Sequence, residues 1–546
     1  MTESPINWKK LAEEKKKSVD DTIPKEWLLP TELLSKYDET TPVSVLDIPS
    51  KFLNESELNI TENYNVKELL EQLKIGNLLS IDVIKAFSHR AAIATQLTNC
   101  CTELMFESAF ERAKFLDDYL IKNGKTIGPL HGLPISLKDS FHIPGFDSTI
   151  GYISLINNKD KIFEMSSYAK LLFDLGAIFY VKTNIPQTLM TGDSENNIFG
   201  RTLNPNNLTW TAGGSSGGEG ALIKMRGSLI GIGTDVAGSI RIPSLCNGVY
   251  GFRPTSCRLP TSNQEEPSRE VFVDILAVAG PLSIDFETLK LITKETINQK
   301  PWNYDPGCLR INYQNSNINK DSTKLKIGIL IEDPELPVHP PIKRIINEAS
   351  KLLINSGHSI EFIKNFPSID KSWGVAWELF KLDSNSTSFA KLFETNERII
   401  ESLKLPGLDA YGQNGPKNID ELIKLKLKVK KLTNDWLKIF ENFDVIISPG
   451  SPSTAPPHDD YGIAPYTCIW NVVDFPAVII PFGKANSNID IDDDSVIYPK
   501  KLNNIYAHYN ALKYDGGLGA IQVVAPHLED EKLLDCCEII DKVLNL

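Results

Sequence analysis

Trp210–Pro254 reads WTAGGSSGGEGALIKMRGSLIGIGTDVAGSIRIPSLCNGVYGFRP, a dense run of glycine and serine that holds two serines, Ser215 and Ser239, each next to glycine. Each glycine in regular structure gives up about 0.5–1 kcal/mol relative to alanine. So long a run implies unusual backbone dihedrals or a close approach to another group. A phosphate cradle is one reading, since glycine-rich turns present N–H groups to anions. A Walker-type loop needs a Gly-Lys-Ser/Thr ending, however, and none occurs here. Gly213–Gly217 fits G-x-S-x-G, but the nucleophile elbow needs a buried strand before it, and Asn204–Trp210 is turn chemistry. A loop packed tightly for structural reasons is the third reading.

Hydroxyl chemistry needs a base. Eight histidines occur (His89, His131, His142, His339, His358, His458, His508 and His527), and none lies in the serine-rich segment. A lysine is the known alternative partner for serine. Lys138 closes the apolar stretch Leu133–Leu137 within GPLHGLPISLKDSF (128–141), which places it at the end of a buried strand. Burial disfavours the ammonium and lowers its pKa, so such a lysine can act as a base near neutrality. The competing reading is a strand-end lysine that snorkels and pairs with Asp139.

In this order along the chain, GPLHGLPISLKD, GGSSGGEGALI and GTDVAGSIRIPSLCNGVYGFRPT resemble the amidase signature family, whose two serines have the same 24-residue spacing seen here. The resemblance covers most of the chain. It is nearest to fungal acetamidase-type amidases, through Thr183–Gln187 (TNIPQ), Asn197–Pro205 (NIFGRTLNP) and Pro24–Pro30 (PKEWLLP). Asp444–Pro449, Trp470–Ala477 and Gly517–Val524 look like the family's closing strands. What the resemblance implies is a Ser–Ser–Lys triad. Ser239 is then the nucleophile that forms an acyl-enzyme, and Ser215, after a cis peptide bond, relays its proton to neutral Lys138 and onward to the leaving amine. Backbone N–H groups of Val236, Ala237, Gly238 and Ser239 are the implied oxyanion donors.

Ala237 departs from the commoner glycine and tolerates positive φ poorly, which puts the shape of that loop in question. Asp235 and Arg241 flank the loop and are expected to brace it through a charge-assisted hydrogen bond. Ser244 and Ala525 are two further departures, in supporting structure.

At 546 residues the chain is large enough for several domains, yet no repeat or linker divides the motif region, and it reads as one α/β domain. Its first 65 or so residues read as a helical extension, and a polar insertion is expected near 484–504. A net charge of −13 argues against nucleic acid or anionic membrane as a main partner. The expected partners are a small amide and water, with a homodimer left open. MTESPINWKKLAEEKKKSVDD has no apolar leader core, no run of about 18 apolar residues occurs, and the chain reads as cytoplasmic without a membrane anchor. Eight cysteines without a secretion signal read as reduced thiols, and no metal site or cofactor is indicated.

The segments Trp8–Asp20 and Val66–Lys74 are predicted helices, the second opened by a capping box at Asn65–Glu68. Strands are predicted at Lys326–Leu330, Ser359–Ile363, Asp444–Ser448, Ala477–Pro481 and Ala520–Val524, with helices at Ile342–Ile354 and Glu529–Val543. Short apolar strands separated by helices predict a large, mixed, mostly parallel central sheet with helices on both faces. The acid-rich Ser487–Ser495 is expected to be a solvated insertion. Met190, Thr191 and Trp470 are candidate pocket residues. The acetamidase resemblance implies small neutral carboxamides as substrates, with longer fatty or aryl amides and esters as the alternative. A glutaminase subunit of a tRNA-dependent amidotransferase and a catalytically silent scaffold are the remaining rivals.

Overall fold

The structure is a computed structural model that describes residues 7–267, 275–315, 318, 323–382, 387–404, 415–416, 418–491 and 509–545. Among these residues the strands are β1 (Cys101–Leu104), β2 (Pro134–Lys138), β3 (Ile178–Thr183), β4 (Glu195–Asn196), β5 (Gly200–Arg201), β6 (Ile230–Asp235), β7 (Tyr250–Arg253), β8 (Val278–Ser283), β9 (Lys326–Ile329), β10 (Ser359–Phe362), β11 (Val445–Ser448), β12 (Ala477–Lys484) and β13 (Leu518–Val524). Eleven of them form one sheet in the order β1-β3-β2-β6-β8-β7-β12-β13-β11-β9-β10, while β4 and β5 make a small hairpin.

The architecture is α/β with a mixed sheet, as expected. Its parallel ladders lie toward the flanks, where β2 pairs with β3 and β6, and β9 with β10 and β11. The other six pairings are antiparallel, a larger share than the apolar runs suggested. Strands buried on both faces read as continuous apolar runs in either direction, so composition does not report direction. β2 and β3 are buried at every position. β10 lies at the sheet edge and is largely exposed, in keeping with its Ser359 and Glu361.

The predicted helices Trp8–Asp20 and Val66–Lys74 form with those bounds, and Asn65 and Glu68 make the reciprocal capping box. The strand and helix predictions of the C-terminal half fall within a few residues of the observed bounds. The N-terminal segment is built into the core rather than appended to it. Ala12, Val19, Ile23, Leu29, Val45 and Ile48 join the apolar cluster under β1–β3. Lys15 enters the same region and pairs with Glu103 on β1 and with Asp147, at 2.8 Å from the latter.

Of the predicted polar insertion, 492–504 lies outside the described residues. In its described part Asn486 and Asn488 are exposed and Ser487 is half-buried, but Asp490 is buried against Arg344, whose Nε donates to it at 2.7 Å. The first acid of the stretch, Asp490, is thus anchored rather than solvated. No described helix is long and apolar enough to cross a membrane.

Candidate active site

β2 and β6 run side by side and in parallel, and both end at the same edge of the sheet. In open α/β sheets that carboxyl edge is where ligands gather. Lys138 is the last residue of β2, and Thr234 and Asp235 are the last of β6. Strand alternation sends Thr234 and Asp235 to opposite faces. Thr234 faces the lysine and Asp235 faces Arg241, as their contacts show.

Lys138 is fully buried. Its Nζ donates to Ser215 Oγ at 2.7 Å and to Thr234 Oγ1 at 2.6 Å. No carboxylate lies within 4.0 Å of it among the described residues, and the neighbouring Asp139 is turned away. Asp139 instead accepts from Thr102 Oγ1 at 2.6 Å and Ile150 N at 2.7 Å, with Lys182 at 3.8 Å. The snorkelling, Asp139-paired lysine is therefore not the observed arrangement. Burial brings the Lys138 pKa down to about 7, against the opposing pull of Asp235 and Glu219. Much of the lysine is neutral at physiological pH.

Ser215 follows a cis peptide bond from Gly214. That turn admits no side chain at Gly214, where a Cβ would stand 2.3 Å from Thr191 O. The helix Gly217–Lys224 begins directly after it. Ser239 lies in the loop after β6, half-buried, and its carbonyl accepts from Ser216 N at 3.2 Å, which ties the two serine segments together. Ser239 Oγ has no hydrogen-bond partner among the described residues, so its link to Ser215 is not made in this structure. Catalytic hydrogen bonds of this kind often close only around substrate. Of the described histidines, none hydrogen-bonds Ser215 or Ser239; His89 pairs with Glu57 and His458 with Leu208 O, and His508 lies outside the described residues.

The loop between β6 and Ser239 hangs on Asp235. Its carboxylate accepts from Gly238 N at 2.8 Å and Ile240 N at 3.1 Å, and from Arg241 Nη2 at 3.0 Å and Asn471 Nδ2 at 2.9 Å. Burial alone would raise this carboxyl, but the Arg241 charge and these hydrogen bonds outweigh it and hold it well below the usual carboxylate range. The Gly238 N–H is thus already committed to Asp235, which corrects its assignment as an oxyanion donor. Among the described residues the N–H groups of Val236, Ala237 and Ser239 make no hydrogen bond.

The glycine at 238 has φ +124°, and a Cβ there would meet Thr467 Oγ1 at 2.2 Å. Ala237 is not among the residues with positive φ, so its methyl costs the backbone nothing, and its carbonyl accepts from Thr467 Oγ1 at 2.7 Å. The Ser244 hydroxyl bonds Ile240 O at 2.8 Å and fills the space where a Gly251 Cβ would stand. Ala525 is buried, with its N–H on Pro476 O.

Sequence reasoning missed two residues around the lysine. Thr234 is one. Glu219 is the other, a buried carboxyl on the first turn after Ser215 that accepts from Ser136 Oγ at 2.5 Å and Thr183 Oγ1 at 3.0 Å. Burial pushes it up to about 8. Gly231 makes room for it, since a Cβ there would lie 1.9 Å from Glu219 Oε2. The signal available was a lone acid inside a run of small residues. Of the pocket candidates, Trp470 belongs to the core, edge-on to Trp436 at 4.8 Å and stacked on Phe475. Met190 is 46% exposed, and Thr191 packs its carbonyl on the Gly214 turn.

The profile of the Amidase family matches residues 82–534. Among curated relatives, the Amidase of Gibberella moniliformis is 37% identical, with 99% of each chain covered. The Acetamidase of Emericella nidulans is 35% identical over 99% of both chains. A solved structure of a fatty acid amide hydrolase superposes with a TM-score of 0.90 at 29% identity, covering 99% of this chain and 95% of that one. The match in family, length and fold leads to one conclusion: the chain belongs to the amidase family of amide hydrolases.

Proposed function

We propose that the chain hydrolyses small neutral carboxamides to carboxylate and ammonia through Ser239, Ser215 and Lys138. The observation that carries this reading is the 2.7 Å contact between Ser215 Oγ and a fully buried lysine that has no carboxylate partner among the described residues. Neutral Lys138 takes the proton of Ser215, Ser215 takes that of Ser239, and Ser239 Oγ attacks the amide carbon. The developing oxyanion sits against the N–H groups of Val236, Ala237 and Ser239, in a loop preorganised by Asp235. The substrate nitrogen leaves poorly as an amide anion, so Ser215 returns the proton to it as the C–N bond breaks and ammonia departs. Water then attacks the acyl-enzyme by the same relay and releases the carboxylate.

The acetamidase relatives support a small acyl group. Resemblance to a fatty acid amide hydrolase structure favours a second reading, in which longer acyl amides are also accepted. Ammonia release from acetamide, benzamide and longer amides separates the two. Ser239→Ala should abolish release while the fold is kept. An active preparation in which this variant loses nothing would refute the nucleophile assignment.

A further inference from the structure

The TNIPQ and NIFGRTLNP motifs do no chemistry in the proposed reaction, yet the structure joins them. Glu397, 6% exposed, is inserted between Gln187 and Asn197. Its Oε2 accepts from Gln187 Nε2 at 2.8 Å and Asn197 Nδ2 at 2.9 Å, and its Oε1 from Ile153 N at 3.0 Å. The same two amides also donate to Arg398 O, and Gln187 Oε1 accepts from Ile400 N at 3.2 Å. A buried carboxylate, two amide side chains and the adjoining backbone thus lock residues 397–400 onto the turn that begins at Gln187.

That turn is strained. Thr188 and Leu189 both have left-handed backbones, with φ of 67° and 60°. Such dihedrals are disfavoured for a β-branched residue and persist only when neighbours over-determine them. On one side the restraint is the Glu397 clasp. On the other it is a small apolar cluster in which Leu189 and Phe389, from the helix Thr387–Thr395, pack with Ile150, Tyr152, Ile185 and Leu392. The clasp reaches both sides of the site. Ile150 N holds Asp139 beside Lys138, and Thr191 O packs on the Gly214 turn before Ser215. Between these contacts lie half-buried Leu189 and the exposed Met190.

We propose that Glu397 is a specificity-determining positioning residue, whose clasp on Gln187 and Asn197 fixes the Thr188–Met190 turn as an apolar wall met by the distal carbons of the acyl group. The inference rests on the hydrolase reading above. An acetyl group ends one carbon past the carbonyl and does not reach such a wall, whereas a longer aliphatic chain runs along it. Loss of the clasp frees the strained turn to relax and the wall to move.

The test is steady-state kinetics of wild type, Glu397→Ala and Asn197→Ala on straight-chain amides from acetamide to hexanamide, with hydrogen exchange of 185–200 measured in parallel. The expected result is at least a fivefold rise in KM for hexanamide relative to acetamide in both variants. In the same variants kcat for acetamide should stay within twofold, and exchange should be faster at Thr188–Met190. Asn197→Ala removes only a half-buried donor, so it serves where Glu397→Ala fails to fold. An active wild type whose variants keep the chain-length profile would overturn this inference alone. A folded wild type inactive on every amide would overturn the hydrolase reading, and this one with it.

Discussion

Asp235→Asn is the sharpest test of how the active-site loop is held. Asp235 and Arg241 are both fully buried and joined at 3.0 Å. The guanidinium also donates to Thr467 O and Gln522 Oε1, each at 2.8 Å, and to Asn471 Oδ1 at 2.5 Å. Removing one member of such a pair leaves a buried charge uncompensated, which costs about 3–5 kcal/mol. Asparagine also turns a donor toward a site that receives backbone N–H groups from Gly238 and Ile240.

Arg241→Met should cost about as much by the same reasoning. The double variant carries no lone charge, so its cost should fall short of the sum by about 2–3 kcal/mol. It should not reach wild-type stability, because each abandoned polar partner costs about 1–3 kcal/mol. Urea unfolding of the four proteins measures the cycle. Additive costs, with coupling under about 0.5 kcal/mol, would refute the keystone role.

The pH sign follows from the depressed carboxyl. Its stabilisation is present above the unfolded value of about 4 and is lost as pH falls through the lower folded value. Wild type should therefore lose stability more steeply than Asp235→Asn in acid below about pH 4.

Lys138 and Lys15 make two contrasting cases. Because burial brings Lys138 to about 7, kcat/KM should fall as pH drops through that value and the base is protonated. Lys138→Met should abolish turnover without lowering the urea midpoint, since it removes a desolvated amine; a marked loss of stability would refute this. Lys15→Met should cost about 3 kcal/mol, because Glu103 and Asp147 are left buried without their cation. A change below about 1 kcal/mol in thermal or urea unfolding would show that those carboxylates find other compensation.

Much of the framework was legible in the chain. Apolar runs bounded by turns marked β2 and β9–β13, and Asn65-x-x-Glu68 announced its own helix start, because both signals depend only on neighbours in sequence. The order of three motifs pointed to Lys138, Ser215 and Ser239, and the structure brings the first two into contact. Sheet direction was not legible, since strands buried on both faces look alike in either sense.

Nor was the traffic of individual hydrogen bonds. Gly238 stood in the right motif, but only the fold shows its N–H bound to Asp235 rather than pointing into the site. Thr234 and Glu219 act on their surroundings through strands β2 and β6, and Glu397 meets Gln187 some 210 positions away in sequence. Local spacing determined which chemical groups this protein carries and in what order. Tertiary structure alone decided which of them are stripped of water and which partner each one faces, because burial and hydrogen-bond direction arise from contacts between distant segments.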